Sequence, residues 1–275
     1  MRRKRLTRFE MWREKLDAVG AMLAQARSAL VISGTGLSVE AGMPVYRNLL
    51  GLEKNEPNDA KLIETALSAE TFQRNPEMTW KYLMRMEAGQ RAVAPSRAHE
   101  VIAALSQRIP RTVVLTTATD RLHQRAGSRN VIEMHGALYD LRCPRCELVT
   151  RHETFDTLNI PPPCPQCGGV MRPTLAFYGE ALSEEPFARL QEELDQGFDI
   201  VIAIGIVQMY PYLARPIILA RAENSPTVEI GELNSDVSEF VDFRFKGASV
   251  ETVERIWEVC EAMPTRKPRS HPSAD

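Results

Sequence analysis

Val131-Ile132-Glu133-Met134-His135-Gly136 is the stretch from which the chain is best read, because a double Cys-x-x-Cys begins shortly after its histidine, at Cys143. A lone imidazole just past a short apolar strand stands where an open α/β sheet places its ligand crevice. Its pKa near neutrality suits it to handle protons, which makes His135 the candidate catalytic residue. A single histidine after a strand is more often a satisfied structural group, so its neighbours must decide.

Downstream, Cys143-Pro144-Arg145-Cys146 and Cys164-Pro165-Gln166-Cys167 are separated by residues 147–163, a spacing within the range for two knuckles sharing one zinc ion. Four thiolates close the tetrahedron and leave no open coordination position, so the expected metal is structural and not a Lewis acid. The segment carries little clustered basic charge, which argues against a nucleic-acid ribbon. Cys260 falls on the apolar side of a helix with Val250, Val253 and Trp257 and reads as core.

Upstream, Ala29-Leu30-Val31-Ile32-Ser33 is a continuous apolar run of the kind buried on both faces of a parallel sheet, and it opens directly into Gly34-Thr35-Gly36-Leu37-Ser38. Strand, glycine turn and helix in succession make a candidate phosphate cradle, since glycines allow close backbone approach and helix-start N–H groups attract anions. Further apolar strands are expected at Thr112–Leu115, Val131–Met134, Asp199–Ile204 and Thr227–Ile230, and helices at Trp12–Ala26 and Ser96–Leu105. Residues 48–95 differ: they are polar, helical and punctuated by Pro57, Pro76 and Pro95, as in a helical excursion that carries a mobile loop from about Asn48 to Asp59. The alternation predicts a doubly wound α/β sheet.

Composition agrees with a globular chain of 275 residues, 44% hydrophobic and 25% charged. A net charge of -2 gives no bias toward nucleic acid, and the basic termini read as solvated tails (1–9 and 264–275). No apolar run follows the basic N-terminus, and the most hydrophobic stretch, residues 199–214, is interrupted by Gln208 and Pro211, so a cytoplasmic protein without membrane association is expected.

Taken together, these motifs resemble the sirtuin family. Gly34 to Arg47 looks like its NAD loop, Leu122-His123 with Ala126-Gly127 like its second motif, and Glu133-Met134-His135-Gly136 like its histidine motif. The paired cysteines and Arg172-Pro173 with Phe177-Tyr178-Gly179-Glu180 follow in the family's order, over roughly residues 10 to 262. The resemblance implies a Rossmann-like NAD-binding domain (10–138 and 173–262) and a small zinc-ribbon domain (139–172), with NAD meeting an acylated lysine in the cleft between them. It further implies that the acyl oxygen attacks the nicotinamide ribose and that His135 is general base on a ribose hydroxyl. The products would be lysine, nicotinamide and an O-acyl-ADP-ribose. By the same carry-over Gly34, Thr35 and Gly36 lie at the diphosphate, Tyr46 and Arg47 at the ribose and nicotinamide, and Asp120 at the carboxamide. Ser38, Thr117 and Gly205 complete the NAD contacts, and Phe177, Tyr178, Gly179 and Glu180 form the acyl-lysine channel.

The chain also departs from the family. Thr117-Ala118-Thr119-Asp120 stands where the family has Gln-Asn-Ile-Asp, Ile206-Val207 replaces a hydroxyl pair, Gly231 an Asn, and Val45 an Asp or Thr. Each lost hydrogen bond is worth about 0.5–1.5 kcal/mol, so a catalytically weak or inactive module that binds NAD or ADP-ribose is the alternative reading. Acetyl is the expected acyl group. Tyr82-Leu83-Met84-Arg85 has the Tyr-x-x-Arg spacing of members preferring acidic acyl groups, but relative to Trp80 it looks one residue off that pattern.

Overall fold

The computed structural model describes residues 7–44 and 59–264. Val45, Tyr46, Arg47 and the loop expected from Asn48 lie outside the described residues, and Asp59, expected at the loop's end, opens a helix. In chain order the described elements are α1 (Arg8–Gln25), β1 (Ser28–Ser33), α2 (Thr35–Glu40), α3 (Asp59–Ala66), α4 (Ala69–Arg74), α5 (Pro76–Arg91) and α6 (Arg97–Arg108). They continue with β2 (Arg111–Thr116), α7 (Leu122–Arg125), β3 (Val131–Glu133), β4 (Asp140–Arg142), β5 (Val149–Arg151) and β6 (Arg172–Pro173). The last are α8 (Glu184–Asp195), β7 (Ile200–Ile204), α9 (Pro211–Ala222), β8 (Thr227–Gly231), β9 (Phe243–Lys246) and α10 (Ser249–Ala262).

Six strands form one parallel sheet in the order β3-β2-β1-β7-β8-β9. Every residue of β1, β7 and β8 is buried, as in strands covered on both faces; β1 and β7 are almost continuously apolar, whereas β8 also buries Glu229, whose carboxylate accepts from the Ser235 and Ser238 hydroxyls. The strand order reverses between β1 and β7, which places a crevice at their carboxyl ends. The α/β sheet expected from the alternation is therefore present, with one strand added at the edge. Phe243-Arg244-Phe245-Lys246 alternates apolar and charged residues, and only Phe245 is fully buried, so the run lacks the uninterrupted hydrophobicity of the central strands.

One layer of helices, α1, α6 and α10, buries Leu16, Val19, Ile102 and Trp257 against the sheet, with Cys260 fully enclosed among them. The opposite face packs Leu190, Leu213 and Ile217 of α8 and α9. Helix α1 starts at a capping box in which the Thr7 side chain accepts from the Glu10 N–H while the Glu10 carboxylate accepts from the Thr7 N–H.

A second sheet, in the order β5-β4-β6, is antiparallel and short. It does not bury a core alone. Trp80 and Leu83 of α5 pack with Leu141, Phe155 and the cysteine Cys143, so the helical excursion and the cysteine segment share one apolar cluster. Trp80 is the pivot: it is fully buried, its ring meets Phe155 edge-on at 5.4 Å, and its indole N–H donates to the Met171 carbonyl at 3.0 Å. Trp80→Ala leaves both a large void and an unpaired carbonyl, and is expected to lower stability by about 3–5 kcal/mol in a urea unfolding titration.

Candidate active site and zinc centre

The crevice starts at the turn after β1. Its glycines are demanded by backbone meeting backbone: a Cβ on Gly34 would stand 2.7 Å from the Gly205 carbonyl oxygen, and one on Gly36 2.5 Å from the same atom. The Gly36 N–H donates to that carbonyl at 3.1 Å, and the Gly34 N–H donates to Ile204 at 3.2 Å. Gly205 itself has φ +60, the left-handed region that favours glycine. The close approach foreseen at these glycines is thus made first to the β7 turn, which leaves Thr35 exposed at the tip.

Ser38 and Asp120 join this turn to the end of β2. The buried Ser38 hydroxyl donates to Asp120 Oδ2 at 2.6 Å, and the Leu122 N–H donates to Oδ1 at 2.9 Å, so both carboxylate oxygens already accept from the protein. Between them Thr117 donates its N–H to Ser33, and Ala118 donates its own to the Thr116 hydroxyl. Beneath lies a buried polar chain in which Thr116 Oγ1 accepts from Ser33 Oγ at 2.9 Å and Ser33 Oγ meets His123 Nε2 at 2.7 Å. Burial, then the neighbouring His99, pushes His123 down to about 3, so this imidazole is neutral and structural at physiological pH.

His135 follows β3 and is half-buried. The left-handed Gly136 next to it lies against the Thr174 backbone, and the His135 carbonyl accepts from the Ala176 N–H at 3.0 Å. Burial lowers the imidazole pKa, which keeps the ring neutral. Its Nε2 lies 2.7 Å from the Tyr212 hydroxyl, and the rings of Tyr210 and Tyr212 both stand edge-on to it. These two tyrosines were not singled out in the sequence, where Tyr210-Pro211-Tyr212 follows the Gly205 loop as the start of an ordinary helix.

Glu133, two residues before the histidine, is a second perturbed group. Burial pushes its carboxyl up to about 7 against the opposing pull of Gln124 and Arg121, and Oε1 has no hydrogen-bond partner among the described residues. It lines a cavity of about 770 Å³ together with Asp140, Arg142, Arg172 and Arg189, a space that does not include the glycine turn.

Phe177 to Glu180 are held by Arg172. Its guanidinium makes a two-pronged pair with Glu180 at 2.5 and 2.7 Å and stacks 3.7 Å from the Phe177 ring centroid. Burial works to raise the Glu180 pKa, but the bonds from Arg172 and the Phe177 N–H prevail and lower it. Phe177 is sunk in the second core, whereas Tyr178 is exposed and pairs its backbone with Leu67 and Ala69. Gly179 takes φ +84 at the bend.

The four cysteine sulfurs lie within 4.8 Å of one another, with Cys143 to Cys167 and Cys146 to Cys164 at 3.5 Å. Tetrahedral zinc with bonds of about 2.3 Å requires sulfurs about 3.8 Å apart, so the set fits one zinc ion with every ligand supplied by thiolate.

The family model for the Sir2 family matches residues 34–210, more than half of the chain. The chain is 36% identical over 244 residues to NAD-dependent protein deacylase 2 of Pseudomonas aeruginosa, covering 88% of this chain and 95% of that protein. It is 30% identical over 251 residues to NAD-dependent protein deacylase 1 of Caldanaerobacter subterraneus, covering 91% and 98%. Among solved structures, a Sir2 homolog–NAD complex superposes with a TM-score of 0.78 at 26% identity, over 90% of this chain and 94% of the other. The chain belongs to the Sir2 family.

Two outcomes follow from the geometry. The purified protein is expected to carry one zinc per chain by elemental analysis, and Cys143→Ala or Cys164→Ala to lower its melting temperature, because a structural metal contributes its binding free energy to folding. Glu133 binds its proton more tightly folded than unfolded, so its contribution to stability is complete below pH 4.5 and is lost as pH rises through about 7, on the order of 3 kcal/mol. Glu133→Gln is therefore expected to melt with the parent near pH 4.5 and above it at pH 8; parallel melting curves at both pH values would refute the assignment.

Proposed function

We propose that this protein removes acyl groups from lysine side chains of proteins with consumption of NAD, releasing nicotinamide and an O-acyl-ADP-ribose. The observation that carries the reading is a neutral, half-buried His135 next to the switch-point crevice in a chain of the Sir2 family. The relatives are matched over nearly their whole length and bear the name deacylase, which favours turnover over a module that only binds the nucleotide.

In this reading Gly34, Thr35, Gly36, Ser38, Thr117, Asp120 and Gly205 hold NAD together with Tyr46 and Arg47. His135 takes a proton from a ribose hydroxyl as general base, which a ring kept neutral by burial is ready to do. Phe177, Tyr178, Gly179 and Glu180 receive the acyl-lysine segment, with the Arg172–Glu180 pair fixing the bend between them. Zinc takes no part in the chemistry, because four thiolates fill its coordination.

Acetyl remains the proposed acyl group. The Arg85 guanidinium lies 5.6 Å from the centroid of the Tyr82 ring on α5, and it is the register of this pair, one residue off relative to Trp80, that favours acetyl over an acidic acyl group. We place the protein in the cytoplasm, acting on proteins and not on nucleic acid; among the described residues no helix is long and apolar enough to cross a membrane. A division into a NAD-binding domain (10–138 and 173–262) and a zinc-ribbon domain (139–172) belongs to the same proposal.

The test is nicotinamide release from NAD in the presence of an acetyl-lysine peptide, followed together with loss of the acetyl group by mass spectrometry. His135→Ala is expected to keep its zinc and its melting temperature while losing at least about 100-fold in rate. A wild-type protein that binds NAD yet processes no acyl-lysine peptide would favour the binding module.

A further inference from the structure

A base histidine is usually held by a partner on its other ring nitrogen, most often a carboxylate or a backbone carbonyl. Here, among the described residues, the hydrogen bond to the His135 ring comes from a phenol, with the Tyr212 oxygen 2.7 Å from Nε2. That phenol is itself fixed. Pro211 starts α9 and sets the backbone of its first turn, Tyr210 stacks on Tyr212 at 5.3 Å with the planes 6° apart, and Phe187 of α8 meets Tyr212 edge-on at 5.6 Å. The imidazole thus faces two aromatic edges and one hydroxyl.

Building on the reading of His135 as the base, we infer that Tyr212 is a positioning residue for it, a neutral phenol that holds the imidazole through both of its protonation states. With the Nε2–H donating to the phenol oxygen, the lone pair of the neutral ring is left on Nδ1 to take the proton, and the phenol accepts in both protonation states without bringing a charge into the pocket. Burial, then Tyr210, raises the Tyr212 pKa, so the phenol stays neutral, and among the described residues burial alone lowers that of His135. Hydrogen bonds to an ionised partner are roughly twice as strong as neutral ones, so the phenol favours the protonated ring over what the bare aromatic pocket would allow.

Tyr212→Phe keeps the ring and removes the hydroxyl. In NMR titrations of the His135 ring, the variant is expected to titrate at least about half a pH unit below wild type, the equivalent of one modest hydrogen bond. In kinetics with NAD and an acetyl-lysine peptide, kcat is expected to fall about tenfold with the KM for NAD within about twofold, since the loss falls on the base and not on nucleotide binding. Tyr212→Leu, should the first variant fail to fold, must lower the His135 titration in the same direction. An unmoved titration overturns the inference, and so does a higher kcat, which would mean that the hydroxyl obstructs the base. If wild type itself shows no deacylation, the proposed function fails, and the titration still decides the role of Tyr212.

Discussion

One contact governs the rest of the molecule: two turns, each at the carboxyl end of a central strand, touch through main-chain atoms alone. The Gly205 carbonyl accepts from Gly36 and sits where side chains on Gly34 or Gly36 would have to go. Any larger residue at these places pushes β1 and β7 out of register at the point where the strand order reverses. The same contact defines the floor of the crevice, and Ser38 then reaches across it to Asp120 and ties in the end of β2. Three strand ends are held by hydrogen bonds within a few residues of one another, so this part of the crevice is tied together by the chain itself.

The chemistry of the site follows from its low polarity. Burial is the main cause acting on His135 and Tyr212, and it moves their pKa values in opposite directions, leaving both neutral. Glu133 is driven toward neutrality by the same cause, although it faces a charged cavity. The region of the histidine motif thus holds titratable groups whose states depend on burial more than on ion pairing, in contrast to the Arg172–Glu180 pair that braces the neighbouring bend.

The strands covered on both faces were legible in the sequence because burial keeps most of their residues apolar, and the cysteine spacing was legible because tetrahedral geometry restricts it. Strand β9 was not, since its alternating pattern has no continuous apolar run. The glycine turn was located correctly, but its first duty is to another stretch of the chain, a partner with no local signature. Tyr212 was invisible for the same reason: it sits 77 residues from the histidine it touches, and a tyrosine in the first turn of a helix carries no mark of what lies opposite. The burial of Glu133 was likewise hidden, because it depends on packing around a motif whose letters alone do not convey it.

The cluster shared by α5 and the cysteine segment gives the metal a mechanical office. Cys143 and Cys164 belong to the same apolar body as Trp80 and Phe177, and Trp80 grips Met171, the residue before the arginine that clamps Glu180. Zinc held by these thiolates would therefore belong to the same packed body as the bend at Gly179, joined to it through Trp80, Met171 and Arg172. Loss of the metal would be felt at that bend through the shared core, so a surface that contains no cysteine depends on the state of four of them.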